Sequence, residues 1–423
     1  MATKAADRVP RIYPELSEPP PHVPPELIRD VDIYNLPGAK DGPHAAWKRM
    51  QNEMPPIVWT PRNGGYWMAL RARDILTIQN DSVTYSMRAS LVPNNPRPYP
   101  APPMDMDPPE HGKWRILISP AFSPKAVKAV EETVRKFTVD LIEGFAPRGE
   151  CEFVSEFTAV LPIIVFLTMM ELPLEDRERL APFANAIVRS PDPTKIHDAR
   201  MGLKNYIEAV VEERAANPRD DLVSKIIASK VDGETIDREM AVGMLALLLS
   251  GGLDTVKNMM GSMCIVLASD PGLQRRLRDE PELIPHAIEE MARARGGSAT
   301  ARLVTCDTEL SGVALKAGDQ IQQFSYLVGL DDETVPDPMK IDFDRPAPIP
   351  HATFGNGPHR CPGSILAKKE IAIWLEEWFR RLPEFRIKPG TVPQQDTGMV
   401  QVVSELWISW APPTDPQPAG AAA

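Results

Sequence analysis

The sequence predicts one mainly α domain with a minor β part. Three observations carry that reading. The chain has 423 residues, 43% of them hydrophobic, which is enough for a sizeable core. Helical spacing of apolar residues dominates after Pro109. Strand-like runs are short and fall in two hairpin-like regions, with no linker dividing the middle of the chain.

The elements follow in order. Residues 1–30 are rich in proline, with runs such as Glu18-Pro19-Pro20-Pro21, and read as an arm laid on the surface or disordered. Residues 31–412 form the main domain. Its first hairpin signal joins Pro56–Thr60 to Tyr66–Leu70 through Asn63-Gly64-Gly65. Ala126–Phe145, Leu203–Ala216 and Leu273–Asp279 carry helical spacing. Thr300–Gln322 is a second hairpin-like region. The last strong helix spans about Ser364–Leu382, with Leu375, Trp378, Phe379 and Leu382 on one face. The Pro- and Ala-rich residues 413–423 read as a disordered tail.

Composition narrows the function. A formal charge of −11 argues against a nucleic-acid partner, which would need a basic face. The four cysteines, Cys151, Cys264, Cys306 and Cys361, have no paired spacing, so no disulfide framework is expected. No apolar signal region opens the chain, and Met244–Leu249 falls well short of the ~20 residues of a membrane span. The reading is a cytoplasmic protein without integral membrane association.

One central segment is unusual. Arg238–Ala268 has the length of a single helix of ~45 Å at 1.5 Å per residue. Its first half is apolar on nearly every face, which means burial. Gly251-Gly252-Leu253-Asp254-Thr255 then interrupts it. Two glycines cost a helix interior roughly 2 kcal/mol relative to alanines. They signal either a kink with a capped second helix or the close approach of a flat ligand. The segment alone leaves both open.

The chemistry concentrates in Phe354-Gly355-Asn356-Gly357-Pro358-His359-Arg360-Cys361-Pro362-Gly363. This loop is dense in glycine and proline and runs into the last amphipathic helix. Cys361 therefore precedes a helix N-terminus, where free N–H groups and the dipole favour a thiolate. His359 and Arg360 add positive charge. A thiolate metal ligand and a nucleophilic cysteine are the two functional readings. His359 is too far along an extended loop to be a well-aligned base for the second.

The loop resembles the haem-binding loop of the cytochrome P-450 superfamily, in the pattern Phe-x-x-Gly-x-(Arg/His)-x-Cys-x-Gly. Glu290-Met291-Ala292-Arg293 matches the family's Glu-x-x-Arg, and Arg345 completes its ion-pair triad. Gly251–Thr255 matches the oxygen-binding groove of the family's central helix. The likeness covers about residues 30–412 and is nearest to the bacterial camphor 5-monooxygenase type. It implies the P-450 fold, with haem b held between the central helix and the Cys361 loop. Cys361 is then the metal ligand. Asp254 and Thr255 are the catalytic pair, for proton relay and hydrogen bonding to oxygen. His111, Arg115, Arg302 and His359 are propionate partners, and Phe354 and Gly363 further cofactor contacts.

Tyr99, Leu247, Ser250, Ser298 and Val400 are the implied substrate contacts. Ser250 and Ser298 stand where the camphor-type pattern has valine. The segment Leu91–Arg97 is shorter and lacks a phenylalanine. The pocket is expected to be of terpenoid size but different in shape and polarity. The chain carries no nicotinamide or flavin motif, so electrons are expected from a two-iron, two-sulfur ferredoxin with an NAD(P)H-dependent reductase. Arg71, Lys113, Arg115 and Arg360 are its candidate docking cations. Two rival readings are a peroxygenase using hydrogen peroxide and a non-catalytic haem-binding sensor.

Overall fold

A computed structural model describes residues 15–94, 99–189 and 192–411. The expected tail 413–423 and the first fourteen residues of the expected arm lie outside them. From Ser17 onward the proline-rich segment is tied to the body. The Ser17 N–H donates to the Pro61 carbonyl at 2.9 Å, Ile28 bridges Trp59, and Val23 is buried in a core.

About 54% of the chain is helical, with the smaller sheet at one side. The first expected hairpin is β1 (Ile57–Thr60) and β2 (Tyr66–Ala69), antiparallel with Ile57 opposite Ala69. Asn63, Gly64 and Gly65 turn it with φ of 54°, 98° and 78°, the left-handed region where glycine and asparagine are tolerated. The sheet continues through β3 (Tyr85–Ser86), β4 (Ala299–Val304) and β5 (Gln320–Phe324), in the spatial order β1-β2-β5-β4-β3. The second hairpin-like region is thus real, with β4 and β5 antiparallel. All four side chains of β1 and of β2 are buried, because α1 (Pro43–Glu53) and the arm cover what would be solvent faces.

Seven helices matter for the site, and α1 is the first. The others are α2 (Glu110–Ile118), α3 (Pro124–Phe145), α4 (Arg238–Leu253), α5 (Thr255–Ser269), α6 (Ile284–Arg295) and α7 (Ser364–Arg381). The ends of α3 and α7 fall within two residues of the expected ones. Trp378, on the face of α7 read from the sequence, packs tilted or edge-on against Phe145, Phe153 and Trp410, and Trp374, outside that face, joins the cluster through Phe153.

The expected single central helix is instead two. Asp254, at φ −105° and ψ −34°, separates α4 from α5. Most of α5 is buried, and α4 contributes Met244, Leu245, Ala246 and Leu249 to a third core. Arg238–Ser269 as a run is long and apolar enough to cross a membrane by length and composition; the packing of α4 and α5 in the core accounts for that composition.

Candidate active site

The Cys361 loop is locked by its own backbone. The Cys361 N–H donates to the Phe354 carbonyl at 2.8 Å, and Gly355 and Gly357 adopt φ of +70° and +66°. At Gly357 a Cβ would stand 2.3 Å from the Gln79 carbonyl oxygen, so only glycine lets the loop press against the helix Ala72–Asn80. The loop then delivers Cys361 just before α7.

Cys361 opens onto a cavity of about 370 Å³. Its exposure is to that cavity, and the protein packed around it raises the thiol above its ordinary range. A hydrogen bond from the Gly363 backbone and the charges of Arg115 and Arg360 pull the other way. The expected net lowering by the helix terminus is therefore outweighed by burial in the protein alone. A bound cation would reverse that balance, since a coordinated thiol is deprotonated outright.

At one edge of the cavity four basic side chains converge. His111 and Arg115 project from α2 at i, i+4, Arg302 from β4, and His359 from the loop. The His111 and His359 rings are 4.2 Å apart, and the Nε2 of each is buried with no hydrogen-bond partner. Arg302 is pushed down to about 10, first by burial, with Asp107 opposing. His359 is pushed down to about 3 by burial and then by His111, Arg302 and Arg115. Unpartnered buried donors beside two guanidiniums are a costly arrangement without an anion. Two carboxylates supplied by a ligand would satisfy them.

The opposite wall comes from the end of α4 and the start of α5. Leu247, Leu248, Gly251, Gly252, Thr255 and Val256 line it. A Cβ added at Gly251 or Gly252 would meet nothing within 4 Å. The glycines thus face open space that leaves room for a flat ligand, and the helix is broken at Asp254 without a side-chain cap on the second helix. The Thr255 hydroxyl reaches into the cavity while donating to the Gly251 carbonyl at 3.0 Å.

Ser298, Val400, Phe354 and Gly363 also line the cavity, so the structure gathers them with Cys361, Leu247 and Thr255. Three expected residues do not line it. Asp254 lies behind the wall, its carboxylate bonded to Lys257 Nζ at 3.1 Å and to Asn258 Nδ2 at 2.6 Å. The Ser250 hydroxyl turns back to the Leu247 carbonyl at 3.2 Å. Tyr99 is buried among Trp114, Ile118 and Leu245, with its phenol near Arg200.

Among the lining residues that the sequence reading missed are Glu370, Arg295 and Gln401. Burial pushes the Glu370 carboxyl up to about 8, and its Oε2 has no hydrogen-bond partner among the described residues. On α7 it follows Lys368 and Lys369, a pattern that reads as a solvated face.

The fold and this arrangement define a haem protein with a cysteine-bearing proximal loop. The family model described as Cytochrome P450 matches residues 178–405. The probable cytochrome P450 127A1 of Sinorhizobium fredii is 32% identical over 402 residues, covering 93% of this chain and 97% of that protein. The steroid C26-monooxygenase of Mycobacterium tuberculosis is 31% identical over 397 residues, covering 90% and 98%. The solved structure of CYP101J2 superposes with a TM-score of 0.86 at 36% identity, covering 93% of this chain and all of that one; CYP101C1 matches with the same score at 34% identity. The chain belongs to the cytochrome P450 family. It is a bacterial-type P450 monooxygenase close to the CYP101 group, with haem b as its cofactor.

Proposed function

We propose that the chain hydroxylates an unactivated C–H bond of a small, mostly apolar substrate of monoterpenoid or norisoprenoid size, in the cytoplasm. Dioxygen is the oxidant, and electrons come from a two-iron, two-sulfur ferredoxin and its NAD(P)H-dependent reductase. One observation carries the reading: Cys361 and Thr255 face the same mostly apolar cavity, whose edge holds the basic cluster of His111, Arg115, Arg302 and His359. Relatives of similar identity act on a steroid and on nocardicin C, so the substrate is read from this pocket and not from kinship.

Bound haem supplies the oxygen-activating chemistry, tuned by its thiolate ligand. Cys361 Sγ holds the iron, with the Gly363 N–H, Arg115 and Arg360 favouring its anionic form. Arg115, Arg302, His111 and His359 hold the propionates, and Phe354 and Gly363 flank the loop side. The Thr255 hydroxyl, whose proton goes to the Gly251 carbonyl, would turn that proton toward the cavity to hydrogen-bond a ligand there. Asp254, behind the wall, is the acid that relays protons from solvent toward Thr255, its carboxylate held by Lys257 and Asn258. Leu247, Ser298 and Val400 orient the substrate, with Ser250 and Tyr99 in the layer behind.

The test begins with the ferrous carbon monoxide complex. Wild type is expected to show the red-shifted Soret band of thiolate ligation, and Cys361→His to lose it. A haem-replete wild type without that band overturns the assignment. Turnover with a surrogate ferredoxin system, against hydrogen peroxide alone, then separates a monooxygenase from a peroxygenase or a sensor.

A further inference from the structure

The cavity has one more cation than its cofactor uses. Three guanidiniums line it: Arg115, Arg295 and Arg302. Among the described residues the only carboxyl side chain on its wall is Glu370, which burial pushes up to about 8. Two propionates match Arg115 and Arg302. Arg295 remains.

Arg295 is the last residue of α6. It makes no ion pair with any described residue, and its Nη1 donates to the Ala294 carbonyl next to it, at 3.0 Å. Its charge acts on His44, whose ring lies beside the chain leaving α6. His44 cannot serve as a counter-charge. Its Nε2 is 2.9 Å from the Gly296 carbonyl, and its ring packs edge-on against Tyr326.

A second residue points to the same end. Gln401 is 2% exposed and lines the cavity; its amide faces the Tyr326 hydroxyl, but among the described residues neither amide atom makes a well-formed hydrogen bond. Backbone pairing brings it beside the chain leaving α6. The Gln401 N–H donates to the Gly297 carbonyl at 2.7 Å, and Ser298 bridges Val400. At Gly297 a Cβ would lie 3.0 Å from the Gln401 Cβ, so the missing side chain makes room for this approach. An unsatisfied buried amide and an unpaired guanidinium each cost free energy until a partner arrives. Arginine cannot shed its proton to escape that cost. A carboxylate answers both, with a guanidinium fork for its oxygens and an amide N–H beside it.

We propose that Arg295 and Gln401 form a carboxylate subsite, and that the substrate is a small, mostly apolar carboxylic acid. This rests on the reading of the cavity as the substrate pocket and narrows it from terpenoids in general to terpenoid-sized acids. The subsite fixes one end of the molecule and presents its hydrocarbon part toward Leu247 and Thr255.

The experiment is a spin-state titration of the haem-loaded enzyme with perillic acid and with perillyl alcohol, which share a skeleton and differ in the carboxylate. Wild type is expected to bind the acid at least roughly tenfold more tightly, as a charge-assisted pair allows. In Arg295→Gln the acid-to-alcohol ratio is expected to fall to near one, in Arg295→Lys to fall only part of the way, and in Gln401→Leu to fall by several-fold. An acid bound no better than the alcohol by wild type overturns the subsite and leaves the terpenoid pocket standing. Failure of wild type to bind either compound overturns both. A ratio unchanged in Arg295→Gln, with the carbon monoxide band intact, removes Arg295 from recognition.

Discussion

Arg293 and Glu290 meet through two parallel hydrogen bonds, Nε to Oε2 at 2.7 Å and Nη2 to Oε1 at 2.8 Å, with neither side chain exposed. Arg345 adds a third contact to Glu290 at 3.1 Å, and Arg293 Nη1 donates to the Gly329 and Pro338 carbonyls. The pair thus ties α6 to the segment that leads into the Cys361 loop. Arg293→Leu leaves Glu290 facing a buried gap, and breaking such a pair costs about 3–5 kcal/mol. Loss of haem-loaded soluble protein is expected. Thermal melting near the wild-type value with full haem content would show that the pair is dispensable.

Thr255 presents its hydroxyl to the cavity while its own proton is given to the Gly251 carbonyl. Thr255→Ala is expected to keep substrate binding and NAD(P)H consumption and to divert much of the oxygen to hydrogen peroxide. Product and peroxide are counted per electron pair. Unchanged coupling would make the hydroxyl structural only.

Glu370 gives a pH dependence with a definite sign. Its ordinary value is 4.5 and burial raises it to about 8 in the folded protein. The folded state therefore holds a proton that the unfolded chain releases between those values. Stability is full below the unfolded value and falls as pH rises toward 8, by up to about 1.4 kcal/mol per pH unit in that window. Glu370→Gln is expected to remove this decline, so that its melting temperature gains on wild type between pH 5 and 8. Parallel melting curves for the two proteins across that range would refute a neutral Glu370.

The four docking cations are not equivalent. Lys113 is paired with Asp232 at 2.5 Å and Glu110 at 3.2 Å, and Arg71 donates to the Met54 carbonyl. Arg115 points inward and donates to the Arg360 carbonyl at 2.5 Å. Arg360 is exposed and makes no ion pair among the described residues. Charge reversal at Arg360 is expected to weaken ferredoxin binding more than reversal at Lys113. The difference should fade with salt, as the screening length shrinks from ~10 Å at 0.1 M to ~3 Å at 1 M. Salt-independent affinity would exclude docking on this face.

Tyr99 tests how far the pocket extends. Its ring packs in the core and does not line the cavity. Tyr99→Phe is expected to change terpenoid affinity less than roughly threefold, below the full worth of one hydrogen bond. A tenfold loss, or a broadened product distribution, would bring Tyr99 into contact with bound substrate.

Much of this was legible in the sequence because it rests on local rules. Apolar spacing gave α3 and α7, Asn63-Gly64-Gly65 gave the turn between β1 and β2, and the glycines around Cys361 marked a loop forced into unusual backbone. The break at Asp254 was half legible. Two glycines announced a disturbance, but whether the chain bends or opens for a ligand depends on what packs behind it. Arg295 and Gln401 gave no signal. A basic residue in the last turn of a helix is ordinary, and a glutamine next to a strand is unremarkable. Their meaning comes from pairing between Gly297 and Gln401, over a hundred residues apart. Glu370 was hidden because charged neighbours disguised a buried position.

Gly357 has a practical consequence for anyone reshaping this enzyme. With its missing Cβ filled by the carbonyl of Gln79, the loop that places Cys361 is pinned to a different part of the chain and tolerates no drift. Residues 247, 295, 298, 400 and 401 lie outside that pin, the Ser298 hydroxyl donating to the Thr353 carbonyl one residue ahead of the loop. A mutant library confined to those five positions can retarget the catalyst to new molecules while the iron's seat is inherited intact, whereas randomising the ten-residue loop should return mostly colourless protein.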